Sequence, residues 1–306
     1  MHAEDSSIFS VPEELVGVRL DRLLALYFAP KQSRTYFQSL IEQGLVLLNG
    51  ETVKKRMLPQ LDDEIEVQWA ATPELSIAPE AIPLTILYED EDLLAVNKPA
   101  GMVVHPAVGN WSGTFVNALV HHCQQLQQIE GVRPGIVHRL DKDTSGVILA
   151  AKNSPTQQKL IELFATRQMS KEYVAICHGH PGHGILEAPI GRHPIDRQRM
   201  AIQGKQGRAA ITEYKTLARK GEFSYVHLKP LTGRTHQLRV HLQHLRSPVL
   251  GDRIYGSASI AERQHVERQL LHAKSIAFIH PIKNRLLQIE APLPEDIKQW
   301  VTLISS

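Results

Sequence analysis

Residues 20–28, LDRLLALYF, put Leu20, Leu23, Leu24, Tyr27 and Phe28 at i, i+3, i+4, i+7 and i+8, the apolar stripe of an amphipathic helix that Pro30 stops. SRTYFQSLIEQG predicts a second helix, with Ser33 as N-cap, Tyr36, Phe37, Leu40 and Ile41 inward, and Gly44 as its C-terminal stop. The period then drops to two. VLLNGETV reads as two strands joined at Asn49-Gly50, which tolerates both positive φ angles of a type I′ turn, and EIEVQW alternates with Ile65, Val67 and Trp69 on one face. Residues 1–14 lack periodicity and read as a flexible tail, 15–72 as a small helix-helix-hairpin-strand domain, and 73–87, with Pro73, Pro79 and Pro83, as a linker.

From residue 88 to 306 a larger domain is expected. TFVNALVHHCQQLQQ, capped by Thr114, and SPTQQKLIELFATRQ, with Ser154 as N-cap and Pro155 at the first helical position, predict helices. TGRTHQLRVHLQHL turns helical after Gly233, while LLAV, KEYVAICHG, AAITEYKTLA, FSYVHLKPL, KSIAFIHP and LLQIEAPL are β-rich. Strands outnumber helices without regular alternation, which points to an α+β fold with a mixed sheet rather than a doubly wound one.

Composition narrows the class. A chain of 306 residues, 42% hydrophobic, supports one large domain and one small one. No apolar run approaches the roughly 18 residues of a membrane span and the N-terminus is polar, so no membrane partner and a cytoplasmic location are expected. Cys123 and Cys177 make neither a disulfide framework nor a zinc motif. Net charge is only +2, yet residues 191–220 carry Arg192, Arg197, Arg199, Lys205, Arg208, Lys215, Arg219 and Lys220 against Asp196 and Glu213. Such a stretch suits a polyanion, or is simply a solvated loop. Gly-rich phosphate loops, HExxH and GxSxG are absent, so no nucleotide cofactor is expected. His178, His180 and His183 crowd together in HGHPGHG, but in a Gly/Pro turn without a neighbouring carboxylate, so no metal is expected either.

The densest chemistry is HRLDKDTSGVIL, residues 138–149, where five ionisable side chains abut an apolar run. In an extended segment Arg139, Asp141 and Asp143 share one face. A carboxylate kept ionised by a guanidinium yet poorly hydrated is a reactive nucleophile; a charged turn leading into a strand is the plainer reading.

Residues 15–72 resemble the S4 RNA-binding domain through Arg19-Leu20-Asp21, Ser33-Arg34 and Val46-Leu47-Leu48-Asn49-Gly50, with Leu48 a conservative departure. HRLDKDTSGVILAAK resembles the active-site motif H-R-L-D-x-x-T-S-G of the RluA family of pseudouridine synthases, and KEYVA and GRTHQLRVHL match its K-x-Y and R-x-H-Q-(I/L)-R segments. VNKPAGMVVHP, PVLGDRIYG and LLHA also fit, so the resemblance spans about residues 85–300, with the S4 unit ahead of it as in the RluD-like branch. It implies a small S4 (αL-type) domain followed by a mixed, mainly antiparallel sheet with flanking helices and a central cleft. The implied reaction turns specific RNA uridines into pseudouridine without a cofactor: the N-glycosidic bond breaks, the uracil turns over, and C5 bonds to C1′.

On this resemblance Asp141 is the indispensable carboxylate, acting on the ribose side or by addition to the ring; Tyr173 stacks on the target base; and Arg239, or Arg234 in its place, pairs with Asp141. Arg139 fills the gap left by the flipped nucleotide, and Arg234 otherwise binds phosphate. His138, the S4 residues Arg34, Lys54 and Lys55, and Arg197, Arg199 and Arg208 of a basic arm contact RNA. The expected partner is large-subunit ribosomal RNA or a ribosomal precursor particle, met by a monomer. Transfer RNA or another RNA as target, a non-catalytic S4 protein of ribosome assembly, and an Asp141/Asp143 metal-diphosphate site of a glycosyltransferase are the alternatives.

Overall fold

The computed structural model describes residues 6–29, 34–69, 77–106, 112–128, 134–196, 199–204 and 206–306. The chain divides into two compact units, Met1–Ser76 and Ile77–Ser306.

In the first unit the strands β1 (Ser6–Ser10), β2 (Val46–Leu48), β3 (Glu51–Thr52) and β4 (Glu64–Gln68) form a sheet in the order β1-β4-β2-β3, with helices α1 (Leu20–Tyr27) and α2 (Arg34–Glu42). The predicted apolar stripes meet: Leu20, Leu23, Leu24, Phe37, Leu40, Ile65 and Val67 share one buried core. Asn49 and Gly50 take φ of 52° and 80°, as the turn requires. Residues 6–10 correct the expected flexible tail. They pair antiparallel with β4, from Ser6 opposite Gln68 to Ser10 opposite Glu64, and Phe9 packs on the core. A five-residue strand with one inward aromatic gives almost no periodic signal; the open edge of β4 creates it. The predicted cap at Ser33 and the linker residues 73–76 lie outside the described residues.

In the second unit the strands are β5 (Ile86–Glu89), β6 (Leu93–Lys98), β7 (Ser145–Ala151), β8 (Ser170–His178), β9 (His183–Glu187), β10 (Ile190–Arg192), β11 (Met200–Ile202), β12 (Ile211–Lys220), β13 (Phe223–Pro230), β14 (Leu271–Ile279) and β15 (Leu286–Glu290). The helices are α3 (Phe115–His122), α4 (Ser154–Ala165), α5 (Gln237–His244), α6 (Ala258–Arg263) and α7 (Glu295–Ser305). Nine strands form one sheet, β5-β6-β7-β14-β8-β13-β12-β9 with β15 beside β14, while β10 and β11 make a separate hairpin. Only β7–β14 is parallel, so the sheet is mixed and mainly antiparallel.

The apolar run after the charged motif is explained by β7, buried at all seven positions: Ile148 and Ala150 pack with α3, Val147, Leu149 and Ala151 with Leu160 of α4. At its start Gly146 has φ of 111°, and a Cβ there would lie 2.1 Å from the Ala273 carbonyl oxygen. Only glycine lets β7 and β14 approach so closely. Several boundaries shift. α3 ends at His122, the cap of α4 is Asn153 accepting from Thr156 N, and Lys215, Arg219 and Lys220 lie on β12 of the main sheet instead of on the basic arm.

Candidate active site

The motif at 138–149 is not extended throughout. Thr144 N donates to Asp141 O at 3.1 Å, so the chain turns just after Asp141 before entering β7. Arg139, Asp141 and Thr144 line a cleft of about 550 Å³, within the usual range for a bound ligand. Asp143, expected on the same face, points elsewhere and lines a separate hollow with Arg268 and Asp296. The turn therefore breaks up the two-aspartate arrangement that a shared metal-diphosphate site needs.

Asp141 meets Arg239 across the cleft. Arg239 sits in the first turn of α5, 5% exposed, and donates from Nη1 to Asp141 Oδ2 at 3.0 Å. Its other two nitrogens are fixed from behind by Asp252, with Nε to Oδ2 at 2.7 Å and Nη2 to Oδ1 at 2.9 Å. Asp252 itself accepts from Ile254 N at 2.9 Å and Tyr255 N at 3.0 Å. Burial disfavours its charge, yet the Arg239 bonds and the backbone donors hold it below the ordinary carboxylate range. The guanidinium is thus clamped by one carboxylate and presented to the other.

Tyr173, on β8, lines the same cleft. Burial, and then the charge of Asp141, push its phenol well up, so it stays protonated: a flat face and a hydrogen-bond donor, not a phenolate. His138 lines the wall, but its Nε2 accepts from Leu149 N at 2.8 Å and its ring stacks on Phe164 at 4.6 Å. Burial pulls its pKa down to about 3, so it is neutral and committed to holding the motif against β7.

Arg139 is exposed on the cleft, with no ion pair among the described residues. The choice between Arg239 and Arg234 as partner of Asp141 goes to Arg239: Arg234 donates Nε to Ala209 O at 2.9 Å instead. Arg234 lines the cleft with Arg208 and Arg167, and burial and the charges of Arg208 and Arg167 lower its pKa. Three guanidiniums on one wall suit a phosphodiester. Arg199 lies over the ring of Tyr255, 5.5 Å from its centroid, on the hairpin of β10 and β11. Arg197 lies outside the described residues. In the first unit Arg34 binds the buried Asp21 at 2.8 Å, Lys55 pairs with Glu42 at 2.5 Å, and Lys54 is exposed.

The sequence reading missed Asp252, His236, Tyr255, Arg167 and Lys98. Lys98 is completely buried behind the motif and donates Nζ to the carbonyls of Pro99 at 2.6 Å and of Met102 and Lys142 at 2.9 Å, the last next to Asp141. Its signal was a lone charge closing an apolar strand. Asp252 lies in PVLGDRIYG, a segment that fits the family, but nothing in that segment marks a partner thirteen residues away.

The two groups of metal-type donors among the described residues, Glu89/His122/Cys123 and Asp90/Asp92/His280, are already neutralised by Lys152 on Glu89 at 2.8 Å and Lys283 on Asp90 at 3.0 Å. The histidines of HGHPGHG do not form such a group: His178 faces Glu222 at 3.7 Å and His180 bonds the Gly221 carbonyl.

Comparison with known proteins gives two family matches: RNA pseudouridylate synthase over residues 92–244 and the S4 domain over residues 18–65. The chain is 39% identical over 305 residues to the ribosomal large subunit pseudouridine synthase D of Xanthomonas campestris, covering 96% of this chain and 91% of that one. It is 43% identical over 291 residues to an uncharacterized RNA pseudouridine synthase of Aquifex aeolicus, covering 92% of each. Among solved structures, human RNA pseudouridylate synthase domain containing 4 superposes with a TM-score of 0.57 at 27% identity, over 72% of this chain and 93% of that one.

Proposed function

The chain belongs to the RNA pseudouridylate synthase family and isomerises uridine in RNA to pseudouridine, and we propose that its target is large-subunit ribosomal RNA, free or in a precursor particle, with Asp141, Tyr173 and Arg239 carrying the reaction. The observation that carries the site assignment is the Arg239–Asp141 pair in a cleft that also holds Tyr173. A carboxylate held by such a pair can attack, or can stabilise positive character at C1′, and suits either the ribose route or addition to the ring. The protonated Tyr173 supplies a stacking face for the extruded uracil and a donor at its edge.

In this reading Arg139 takes the vacated place in the RNA stack, while Arg234, Arg208 and Arg167 neutralise the flanking phosphates. Lys54, Lys55 and Arg34 of the S4 unit, and Arg197 and Arg199 of the hairpin, add backbone contacts. The ribosomal target is supported by the name of the Xanthomonas relative. The enzyme acts in this proposal as a cytoplasmic monomer; no helix among the described residues is long and apolar enough to cross a membrane.

The test is pseudouridine mapping of total RNA from cells carrying wild-type protein or Asp141→Ala. Loss at particular uridines of the large subunit is expected. Loss confined to transfer RNA would move the target, and loss at no site would refute the assignment of Asp141.

A further inference from the structure

We propose that His236, its tautomer fixed by Tyr255, is a positioning residue for Asp141, and that Tyr255 ties this setting to the hairpin of β10 and β11. The inference rests on the reading of Asp141 as the reacting carboxylate. His236 immediately precedes α5 with φ 55° and ψ 18°, a left-handed conformation uncommon for non-glycine residues. That backbone sets Nδ1 2.8 Å from the Tyr255 hydroxyl and Nε2 3.9 Å from Asp141 Oδ1.

The proton arrangement follows from one further bond. Met200 N donates to the Tyr255 oxygen at 2.8 Å, so the phenol's own proton is directed at His236 Nδ1. Nδ1 is then the bare nitrogen, and the neutral ring carries its proton on Nε2, facing Asp141. Burial, Arg239 and Arg139 oppose a second proton on this ring, Asp141 and Asp252 favour it, and the balance lowers the pKa. The two oxygens of Asp141 are therefore addressed from two sides, Oδ2 by Arg239 at 3.0 Å and Oδ1 by His236 at 3.9 Å. The longer contact is of the kind that tightens when a substrate fills the site.

Tyr255 also joins the site to the hairpin. It is 3% exposed, and two guanidiniums lie over its ring, Arg239 at 4.9 Å and Arg199 at 5.5 Å from the centroid. Arg199 and Met200 are adjacent on the hairpin, so phosphate contacts there act on the group that sets the His236 tautomer. Hairpin engagement then governs the chemical step as well as affinity.

Tyr255→Phe keeps the packing and removes only the hydroxyl. In the full-length protein, nitrogen-15 NMR of His236 is expected to show the Nε2–H tautomer in the wild type and its loss in Tyr255→Phe. With RNA, the single-turnover rate is expected to fall roughly ten- to a hundredfold, in line with the cost of a misplaced reacting group, with RNA affinity unchanged. His236→Asn, which tolerates the left-handed backbone, is expected to behave likewise. A wild-type ring protonated on Nδ1 would overturn the proposal. So would a Tyr255→Phe protein with unaltered rate, or one whose rate loss is matched by lost RNA affinity. The NMR readout needs no RNA, so a protein that makes no pseudouridine would refute the reading of function while the tautomer is judged separately.

Discussion

Replacing Asp252 by Asn removes a charge while keeping the shape, and the geometry says how the site fails. Oδ1 of Asp252 receives Arg239 Nη2, Ile254 N and Tyr255 N, whereas Oδ2 receives Arg239 Nε alone. An Asn side chain keeps its oxygen at the three-donor position and turns its amide NH2 towards Arg239 Nε–H, donor against donor. The guanidinium, 5% exposed, is left with Asp141 as its remaining ion-pair partner. Breaking a buried pair from one side costs about 3–5 kcal/mol, so urea unfolding should show a loss of that order, and catalysis should fall because Nη1 is no longer aimed at Asp141. The double variant Arg239→Met/Asp252→Asn, whose amide oxygen still accepts from Ile254 N and Tyr255 N, should recover much of that loss because no buried guanidinium is left without its clamp, yet stay inactive. pH dependence gives a further check. A carboxylate with its folded pKa depressed contributes stability that is present above its unfolded pKa and is lost as pH falls through the folded one. Asp252→Asn should flatten that acid-side loss. An Asp252→Asn protein destabilised by less than about 1 kcal/mol, or a double variant no more stable than the single one, would refute this account of the clamp.

Burial draws the Lys98 pKa down to about 7, so the folded protein holds fewer protons than the unfolded chain between about pH 7 and 10 and its stability should rise with pH across that window; Lys98→Met should abolish the slope and, by freeing the Lys142 carbonyl, slow catalysis, as unfolding series at several pH values and turnover assays would show. Gly146→Ala should destabilise by roughly 3 kcal/mol or more, because its methyl group would lie 2.1 Å from the Ala273 carbonyl oxygen and at a left-handed φ, and thermal unfolding would register it. Tyr173→Phe should retain RNA binding, the ring being unchanged, while single-turnover pseudouridine formation falls at least tenfold if the phenol hydroxyl donates in the reaction. Replacing Arg197, Arg199 and Arg208 with Ala should weaken RNA binding and reduce the salt slope of log K by about 2, at roughly 0.7 per lost phosphate contact; an unchanged slope would remove the hairpin from the RNA interface.

The sequence by itself determined the elements with strong period and the residues with local chemistry. The α1 and α2 stripes, the Asn49-Gly50 turn, the apolar run of β7 and the candidacy of Asp141 were all legible, because each is set by neighbours within a few residues. Short strands such as β1 and β9 were not, since their stability comes from the edges they pair with. The shared face of Asp141 and Asp143 needed an extended segment, and one backbone hydrogen bond, Thr144 N to Asp141 O, turns the chain there instead, the plainer of the two sequence readings. Tertiary structure alone decided which guanidinium serves Asp141. Arg234 and Arg239 lie five residues apart in one motif, and only the burial of α5 against Asp252 aims the second and leaves the first on the cleft wall. A catalytic carboxylate can be marked by its own motif. The charges that hold it in place come from distant segments, and their energy depends on distance and burial, quantities that exist only once the chain has folded.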